Sequence, residues 1–509
     1  MTGRARAWLL PAVALIALGL LMVLSDPYFT FIDDETSIIS AATSPASDTV
    51  DLFLHGTGQF EHPPLYDLIL HGWLRVTGSR MRLLRLPSIA FYLLGIEVLT
   101  AIACRLWSDR AAAAVLWSCV FWPFGFHFGR LAAWYSLSFL LVAVLTWTYL
   151  AFLRAQTVKN WLPMVLTAIL LLYTSYFGWA ILAFILLDYL VQTRHESGRR
   201  WRLVLLTVAT VALAFLPLAR AFSAVIAGGV GQQASVLGSA LFEAFNMYAC
   251  FASESVAPWY WALGMPVCLA IALCSAVVVL CGPHTARRLY IYFLALLTAM
   301  SVLGIVGTKR LLLISPWAVL PVGICVGTIQ SRRWKAALVA SLAVIAGIGW
   351  FGTIARRYYA APRFIEPWPE VATRMARTVD DGGLVIGDHP AFFFYLTFAL
   401  HDQARGNALD LVGLWPYRLR GKEVYDSGEW MRQGSPVRAS VFLVKGVSAD
   451  GAADAAEHHL EQRCVLENAE LLLPDSGFDL KERILPKFPR VRYRIEIRHY
   501  DCQKATGFP

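Results

Sequence analysis

Charged residues are scarce in this chain. They make up 16% of its 509 residues, whereas a soluble domain carries about 25%. Together with a hydrophobic fraction of 57% and a mean hydropathy of +0.55, this argues against a purely soluble protein. The sequence also has no internal repeat, no low-complexity tract and no CxxC pair. Repeat arrays and zinc modules are therefore not indicated.

The positive charge is confined to the apolar part of the chain. Residues 1–355 hold 23 Lys and Arg against 14 Asp and Glu, whereas residues 356–509 hold 21 of each. Cations that fix membrane topology explain this excess better than nucleic acid does. We therefore expect no nucleic-acid partner. The sequence divides into a membrane domain, 1–355, and a soluble domain, 356–509.

Apolar runs of roughly the length that crosses a bilayer recur throughout the first domain. They predict a multi-spanning α-helical membrane protein with about eleven transmembrane helices. The runs lie near 8–24, 83–104, 111–128, 134–153, 161–175, 177–193, 203–221, 258–281, 289–307, 311–329 and 336–355.

Loop charge predicts the orientation of these spans. With the N-terminus inside, 15 of the 23 cations lie in inner loops and 10 of the 14 acids lie outside, as the positive-inside rule favours. An odd number of spans then places residues 356–509 outside the cytoplasm, on a multi-pass protein of the cytoplasmic (inner) membrane. We interpret the first span as a retained anchor rather than a cleaved signal peptide, because no small-x-small site follows it.

The C-terminal domain is predicted to be α/β. Pro489–Tyr500 alternates apolar and charged residues, which is typical of a half-buried strand. Cys464 and Cys502 share this domain, and a disulfide between them remains open. The other predicted elements are helices near 367–379, 390–401 and 450–462 and strands at Gly383–Asp388 and Ala439–Lys445.

The first outer loop, residues 25–82, is the longest loop of the membrane domain. It contains three adjacent carboxylates, Asp33, Asp34 and Glu35, in a stretch with helical apolar spacing (31–42). A carboxylate beside a low-dielectric membrane surface has a raised pKa, which suits a general base. The alternative is a solvated helix start that complements the helix dipole.

The same loop contains the segment Glu61-His62-Pro63-Pro64-Leu65-Tyr66. Because proline opens helices well, this segment predicts an amphipathic helix that runs to about Val76. A capping role for Glu61 and His62 is the alternative. The predicted apolar face holds Leu65, Leu68, Ile69 and Trp73, and the opposite face holds Asp67 and His71, which would form a surface pair.

Several cations lie on the predicted outer side, against the general trend. Arg85, Arg130, Lys309 and Arg310 stand at the starts of spans or in short outer turns. Arginine and lysine make strong charge-assisted contacts with phosphate, so these residues are candidate phosphate ligands. The alternative is snorkelling toward lipid headgroups, which we favour for Arg75, Arg80 and Arg220.

An outward-facing base and phosphate-binding cations together predict an enzyme that transfers a chemical group from a phosphate-linked donor. Nucleotide-activated donors are cytoplasmic, so the donor expected here is a polyprenyl-phosphate sugar carried by a membrane lipid. The carboxylate would deprotonate an acceptor hydroxyl of a glycan, lipid or protein, in one inverting displacement. The alternatives are a transporter or lipid flippase without transferase activity, or a lipid-linked transferase whose essential groups lie in a late loop.

These motifs resemble those of GT-C superfamily glycosyltransferases, nearest the protein O-mannosyltransferase and lipid A aminoarabinose transferase group. The resemblance is carried by Asp34-Glu35, by the 61–66 segment, by Arg85-Leu86-Pro87-Ser88, and by Lys309-Arg310-Leu311-Leu312 before Pro316. It implies a GT-C fold with amphipathic helices in the first outer loop, an extracytoplasmic C-terminal domain and a hexosyl or pentosyl donor.

The resemblance also implies roles for single residues. Asp34 matches the catalytic base, with Glu35 beside it and Asp33 as the fallback. Arg310 matches an arginine near the donor phosphate, with Lys309, Arg85, His62 and Arg130 as further candidate phosphate ligands. Glu61 matches a glutamate that binds a divalent metal in some relatives. The sequence departs from the group at His62, where many relatives have Lys, at Ala133 and at Ser175.

Overall fold

The fold is described from a computed structural model of the chain. The described residues are 3–26, 31, 33–43, 46–47, 50, 62–78, 83–195, 197–227, 236–254, 261–303, 307–354, 367–388, 392–396, 399, 424–446, 452–473 and 495–503.

The membrane domain is built from helices, and each of the eleven predicted apolar segments contains one. Among the described residues, five helices, or six when one bent pair counts as a single span, are long and apolar enough to cross a membrane. The predicted fold class is therefore confirmed, and the number eleven stays a prediction. The helices are Gly3–Ser25, Leu86–Leu106, Asp109–Val120, Pro123–Phe128, Tyr135–Arg154, Val158–Leu172, Gly178–Gln192, Ser197–Phe215, Ala219–Ala227, Val236–Ala252, Trp261–Cys281, His284–Val302, Leu311–Ile314, Pro316–Thr328 and Arg332–Ile354, with 3₁₀ turns at Leu216–Leu218 and Thr308–Arg310.

The bent pair consists of Thr308–Ile314 and Pro316–Thr328, which meet at an angle of 59°. Proline at 316 has no amide hydrogen to continue the helix, so the axis changes direction there. The bend places the turn that carries Lys309 and Arg310 at the start of a broken span.

Two helices form in the predicted first outer loop. Asp33–Thr43 begins at the first of the three carboxylates, and Leu65–Thr77 begins directly after the two prolines. Both lie where the sequence pattern predicted them. The chain clusters into two compact units: 1–26, 46–70 and 85–357 form the first, and 27–45, 71–84 and 358–509 form the second.

The second unit contains a five-stranded sheet. Its strands are β1 Leu384–Gly387, β2 Val424–Asp426, β3 Ser440–Lys445, β4 Val465–Leu473 and β5 Ile495–Asp501, and the helices are Trp368–Asp380, Ser427–Arg432 and Ala452–Glu461. The strand order is β2-β1-β3-β5-β4. β1 is parallel to β2 and β3, whereas β5 runs antiparallel between β3 and β4.

The core of this sheet contains a disulfide. Cys464 and Cys502 are bonded, and both are buried in one apolar cluster with Trp430 and Tyr500. The predicted helices near 367–379 and 450–462 and the strands predicted at Gly383–Asp388 and Ala439–Lys445 are present. The strand predicted at Pro489–Tyr500 is present from Ile495, and its residues 489–494 lie outside the described residues. Residues 392–396 and 399 of the predicted helix at 390–401 are helical, and the other residues of that range lie outside the described ones. The sequence did not predict β2, the helix Ser427–Arg432 or β4.

Asp388 follows β1 and is only 7% exposed. The amide of Gly446 donates to its Oδ1 at 2.5 Å, whereas Oδ2 has no hydrogen-bond partner. Burial raises the pKa of Asp388 to about 7. The folded state therefore holds a proton here that the unfolded chain, with an ordinary pKa of about 4, releases. Stability from this group is present at low pH and is lost as the pH rises from about 4 to 7.

We expect Asp388→Asn to weaken the dependence of folding stability on pH, because the amide mimics the protonated carboxyl group. The loss in the wild type is at most about 1.4 kcal/mol for each pH unit. Hydrogen exchange of β1 and β3 amides in the full-length protein, corrected for intrinsic rates, measures it at pH 5 and pH 8. The exposed Asp381→Asn is the matched control. An Asp388→Asn protein with the wild-type pH dependence would contradict the assignment.

Candidate functional site

The segment His62–Tyr66 is fixed to a turn far along the chain. The amide of Leu65, the first residue of its helix, donates to the carbonyl of Tyr173 at 3.0 Å. Pro63 and Pro64 are buried, and His62 is half-buried with its ring 6.3 Å from that of Trp134. This segment therefore packs against the spans that begin near 134 and end near 172.

The helix Leu65–Thr77 buries a different face from the one predicted. Its predicted apolar residues are only partly buried, whereas Tyr66, Asp67 and Leu70 have no exposed surface. Apolar residues occupy two stripes of this helix, so helical spacing alone did not select the buried one. The predicted pair of Asp67 with His71 is wrong. His71 Nδ1 instead donates to the carbonyl of Ala42 at 2.9 Å.

Asp67 is a buried carboxylate without a hydrogen bond. Within the described part of the chain neither of its oxygens has a donor, and burial raises its pKa well above the ordinary range. His62 Nδ1 lies 3.9 Å from Oδ2. This distance is within ion-pair range and too long for a hydrogen bond.

Arg85 stands at the start of the helix Leu86–Leu106 and is 1% exposed. Its Nη1 donates to Asp26 Oδ1 at 2.7 Å, at the end of the first helix. Three residues further on, the Ser88 hydroxyl is 2.7 Å from the hydroxyl of Tyr66. The Arg85–Ser88 and His62–Tyr66 motifs are thus in direct contact, although the sequence gave no sign of Asp26.

Arg130 reaches the same helix end as Arg85. It is 1% exposed, its Nη1 donates to Ser25 Oγ at 3.2 Å, and its guanidinium lies 4.9 Å from the centre of the Phe126 ring. Cations at a helix C-terminus also complement the helix dipole. Both arginines therefore stabilise the first helix end, and their predicted contact with phosphate stays a prediction.

Lys309 and Arg310 form the 3₁₀ turn that opens the bent pair, and both are half-buried. The Arg310 guanidinium lies 5.7 Å from the centre of the Phe177 ring. Phe177 caps the helix Gly178–Gln192 and follows Tyr173, the residue that binds Leu65, by four positions. One short turn, 173–177, therefore contacts both the His62–Tyr66 motif and the Lys309–Arg310 turn.

The acidic stretch belongs to the second unit. The Phe31 amide donates to the Tyr395 hydroxyl at 2.5 Å, and the ring centres of Phe31 and Phe394 are 5.3 Å apart. Glu35 is completely buried in the helix that follows. The side chains of Asp33 and Asp34 lie outside the described residues. Phe31 therefore packs against residues of the C-terminal sequence within this unit.

The metal expectation rests on Glu61, which also lies outside the described residues. Within the described part of the chain, no three His, Cys, Asp or Glu residues are grouped in a way that could hold a metal ion. The residues present there do not fit a metal centre. No step of the chemistry below depends on one.

The Asp26–Arg85 pair yields a stability prediction. Asp26→Ala leaves the guanidinium buried without its carboxylate, which costs about 3–5 kcal/mol. We expect a clearly lower thermal midpoint in detergent. The Asp26→Ala/Arg85→Leu double variant should recover part of that loss, because no charge then remains buried. If Asp26→Ala melts like the wild type, the pair is not a stabilising contact.

The comparisons with known proteins agree with this architecture. Residues 61–220 match the family model of dolichyl-phosphate-mannose-protein mannosyltransferases. A search of curated protein sequences finds no match. The matched range contains the His62–Tyr66 and Arg85–Ser88 motifs and the turn at 173–177.

Solved structures share the fold over nearly the whole chain. ArnT from Cupriavidus metallidurans bound to undecaprenyl phosphate aligns with a TM-score of 0.54 at 13% identity, covering 96% of this chain and 97% of that one. Its apo structure aligns with a TM-score of 0.56 at 13% identity, covering 97% and 98%. The resemblance of this chain to GT-C membrane glycosyltransferases, and to the protein O-mannosyltransferase and ArnT group among them, is therefore confirmed.

Proposed function

We propose that this protein is a glycosyltransferase that moves a sugar from a polyprenyl-phosphate donor to an acceptor hydroxyl on the outer face of the cytoplasmic membrane. The observation that carries the proposal is the ArnT fold over nearly the full chain, because it includes both the multi-helix domain and the C-terminal sheet. The family match at 61–220 supports the same activity.

The donor phosphate is assigned to the Lys309–Arg310 turn and to His62. Both are linked to the turn at 173–177, through Phe177 and Leu65 respectively. The two cations are half-buried, where charge-assisted hydrogen bonds to phosphate are stronger than at a fully exposed surface. Arg85 and Arg130 are proposed to support this site through their contacts at the first helix end, in addition to their predicted role as ligands.

The acceptor is assigned to the carboxylates that open the helix Asp33–Thr43. Asp34 removes the proton of the acceptor hydroxyl, whose oxygen then attacks the anomeric carbon as the bond from that carbon to the phosphate oxygen breaks. Polyprenyl phosphate leaves with its electron pair, and its negative charge is stabilised by the cations. A single displacement of this kind inverts the anomeric configuration. Asp33 is the fallback base.

The sidedness of the proposal is supported by one contact. The acidic helix and the C-terminal domain share a side of the membrane, because Phe31 contacts Phe394 and Tyr395. The domain also contains a disulfide, which forms in oxidising compartments and is rare in the cytosol. Both segments are therefore assigned to the outside.

The base assignment is tested with the purified protein and a panel of radiolabelled polyprenyl-phosphate sugars. Removal of a general base costs about 10²- to 10⁴-fold in rate. We expect Asp34→Asn to lower donor-dependent transfer or hydrolysis by such a factor. Glu97→Gln, which removes an exposed carboxylate within a span, is the control and should keep wild-type activity. If Asp34→Asn and Asp33→Asn are both active, neither residue is the base.

The phosphate assignment predicts weaker donor binding by Arg310→Ala. Loss of a hydrogen bond to a charged group costs about 1.5–3 kcal/mol, which corresponds to a Kd for undecaprenyl phosphate that is roughly 10- to 100-fold higher. Arg220→Ala removes an exposed outer cation and should leave the affinity unchanged. An equal loss in both variants would indicate general attraction to the anionic lipid rather than a site at Arg310.

A further inference from the structure

Asp67 is a buried carboxyl group that stability does not explain. It has no exposed surface, and neither of its oxygens receives a hydrogen bond. A carboxylate removed from water without donors costs several kcal/mol, or it takes up a proton. An apolar side chain on the same helix stripe as Tyr66 and Leu70 would pack there at lower cost. The carboxylate therefore points to a function.

The group that Asp67 faces is His62. Within the described part of the chain, His62 is the one basic side chain in ion-pair range, with Nδ1 at 3.9 Å from Oδ2. The carbonyl of Pro63 lies 3.4 Å from the same Nδ1. Two oxygen acceptors thus surround one ring nitrogen, which favours a proton on Nδ1.

The backbone keeps this pair in place. Asp67 is in the first turn of its helix, and His62 precedes the two buried prolines, whose φ angles are fixed by their rings. The Leu65 amide is held by the Tyr173 carbonyl, and the His62 ring lies beside Trp134. Little freedom is left to the imidazole except rotation about its own side-chain bonds, and a carboxylate at Nδ1 restricts that rotation.

We propose that Asp67 is a positioning residue that orients the His62 imidazole toward the donor phosphate. The inference rests on the proposed function, in which His62 is one of the phosphate ligands. Nδ1 and Nε2 lie on opposite edges of the ring, so holding Nδ1 at Asp67 directs Nε2 away from it. With phosphate bound, Nδ1 faces the Asp67 carboxyl group and Nε2 donates its N–H to the phosphate. No covalent bond changes in this step.

A double-mutant cycle separates this role from a structural one. The variants are Asp67→Asn, His62→Gln and the double variant, and the measured quantity is the Kd for undecaprenyl phosphate in detergent. Loss of a side chain that orients a metal-ligating histidine costs about 10- to 100-fold in affinity, and we expect a loss of the same order for Asp67→Asn. Because Asp67 acts through His62, the double variant should bind no more weakly than His62→Gln alone.

The thermal midpoint is the second readout. Asp67→Asn removes a buried carboxyl group that has no donor, so we expect a midpoint equal to or above that of the wild type. Glu97→Gln is the matched control for the loss of one carboxylate, and both its affinity and its midpoint should be unchanged.

Four results would overturn the inference. They are an unchanged affinity in Asp67→Asn, an unchanged affinity in His62→Gln, losses that add in the double variant, and a parallel drop in affinity and thermal midpoint. Failure of the proposed function is a separate result. In that case no polyprenyl-phosphate sugar supports transfer by the wild type, or both the Asp34→Asn and Asp33→Asn variants remain active. If His62→Gln has no effect on affinity while the Asp34 variant is inactive, the proposed function stands and the proposed role of Asp67 is wrong.

Discussion

The ion pair between Asp26 and Arg85 closes the loop on which the proposed chemistry depends. Asp26 ends the first helix and Arg85 starts the next span, so the 58 residues between them return to a point where two charges are 2.7 Å apart. A buried arginine needs such a partner, because the low-dielectric interior offers no water to replace it. The acidic helix and the His62–Tyr66 motif both lie between these two ends. The ion pair therefore fixes both ends of the chain segment that carries them.

A series of contacts connects this ion pair with residues far along the membrane domain. Arg130 joins Ser25 beside the pair, Ser88 joins Tyr66, and Leu65 joins the turn at 173–177. The turn at 173–177 also contacts Arg310, through the ring of Phe177. Residues separated by more than two hundred positions are thus connected by a short series of hydrogen bonds and ring contacts. The series explains how short motifs, scattered in sequence, can serve one site.

The sequence predicted most of the helices and strands, but few of the contacts between them. Long apolar runs predict helices because a bilayer leaves no other way to satisfy the backbone, and the alternation before Tyr500 predicted β5. β4 was missed because register shifts at Leu466/Asn468 and Leu471/Leu473 break its period of two. The buried face of the helix Leu65–Thr77 was assigned wrongly because its apolar residues form two stripes. Motif identity located the candidate residues, whereas the partners Asp26, Phe177 and Tyr395 are long-range and leave no local signal.

The contact between Phe31 and Tyr395 sets an order of assembly. The two residues are 364 positions apart, and at about 5–20 residues per second a ribosome needs roughly 20–70 s to pass from one to the other. During that interval Phe31 has been synthesised, whereas Tyr395 has not. The helix that carries the proposed base therefore lacks this contact until the C-terminal part of the chain has been made and has folded.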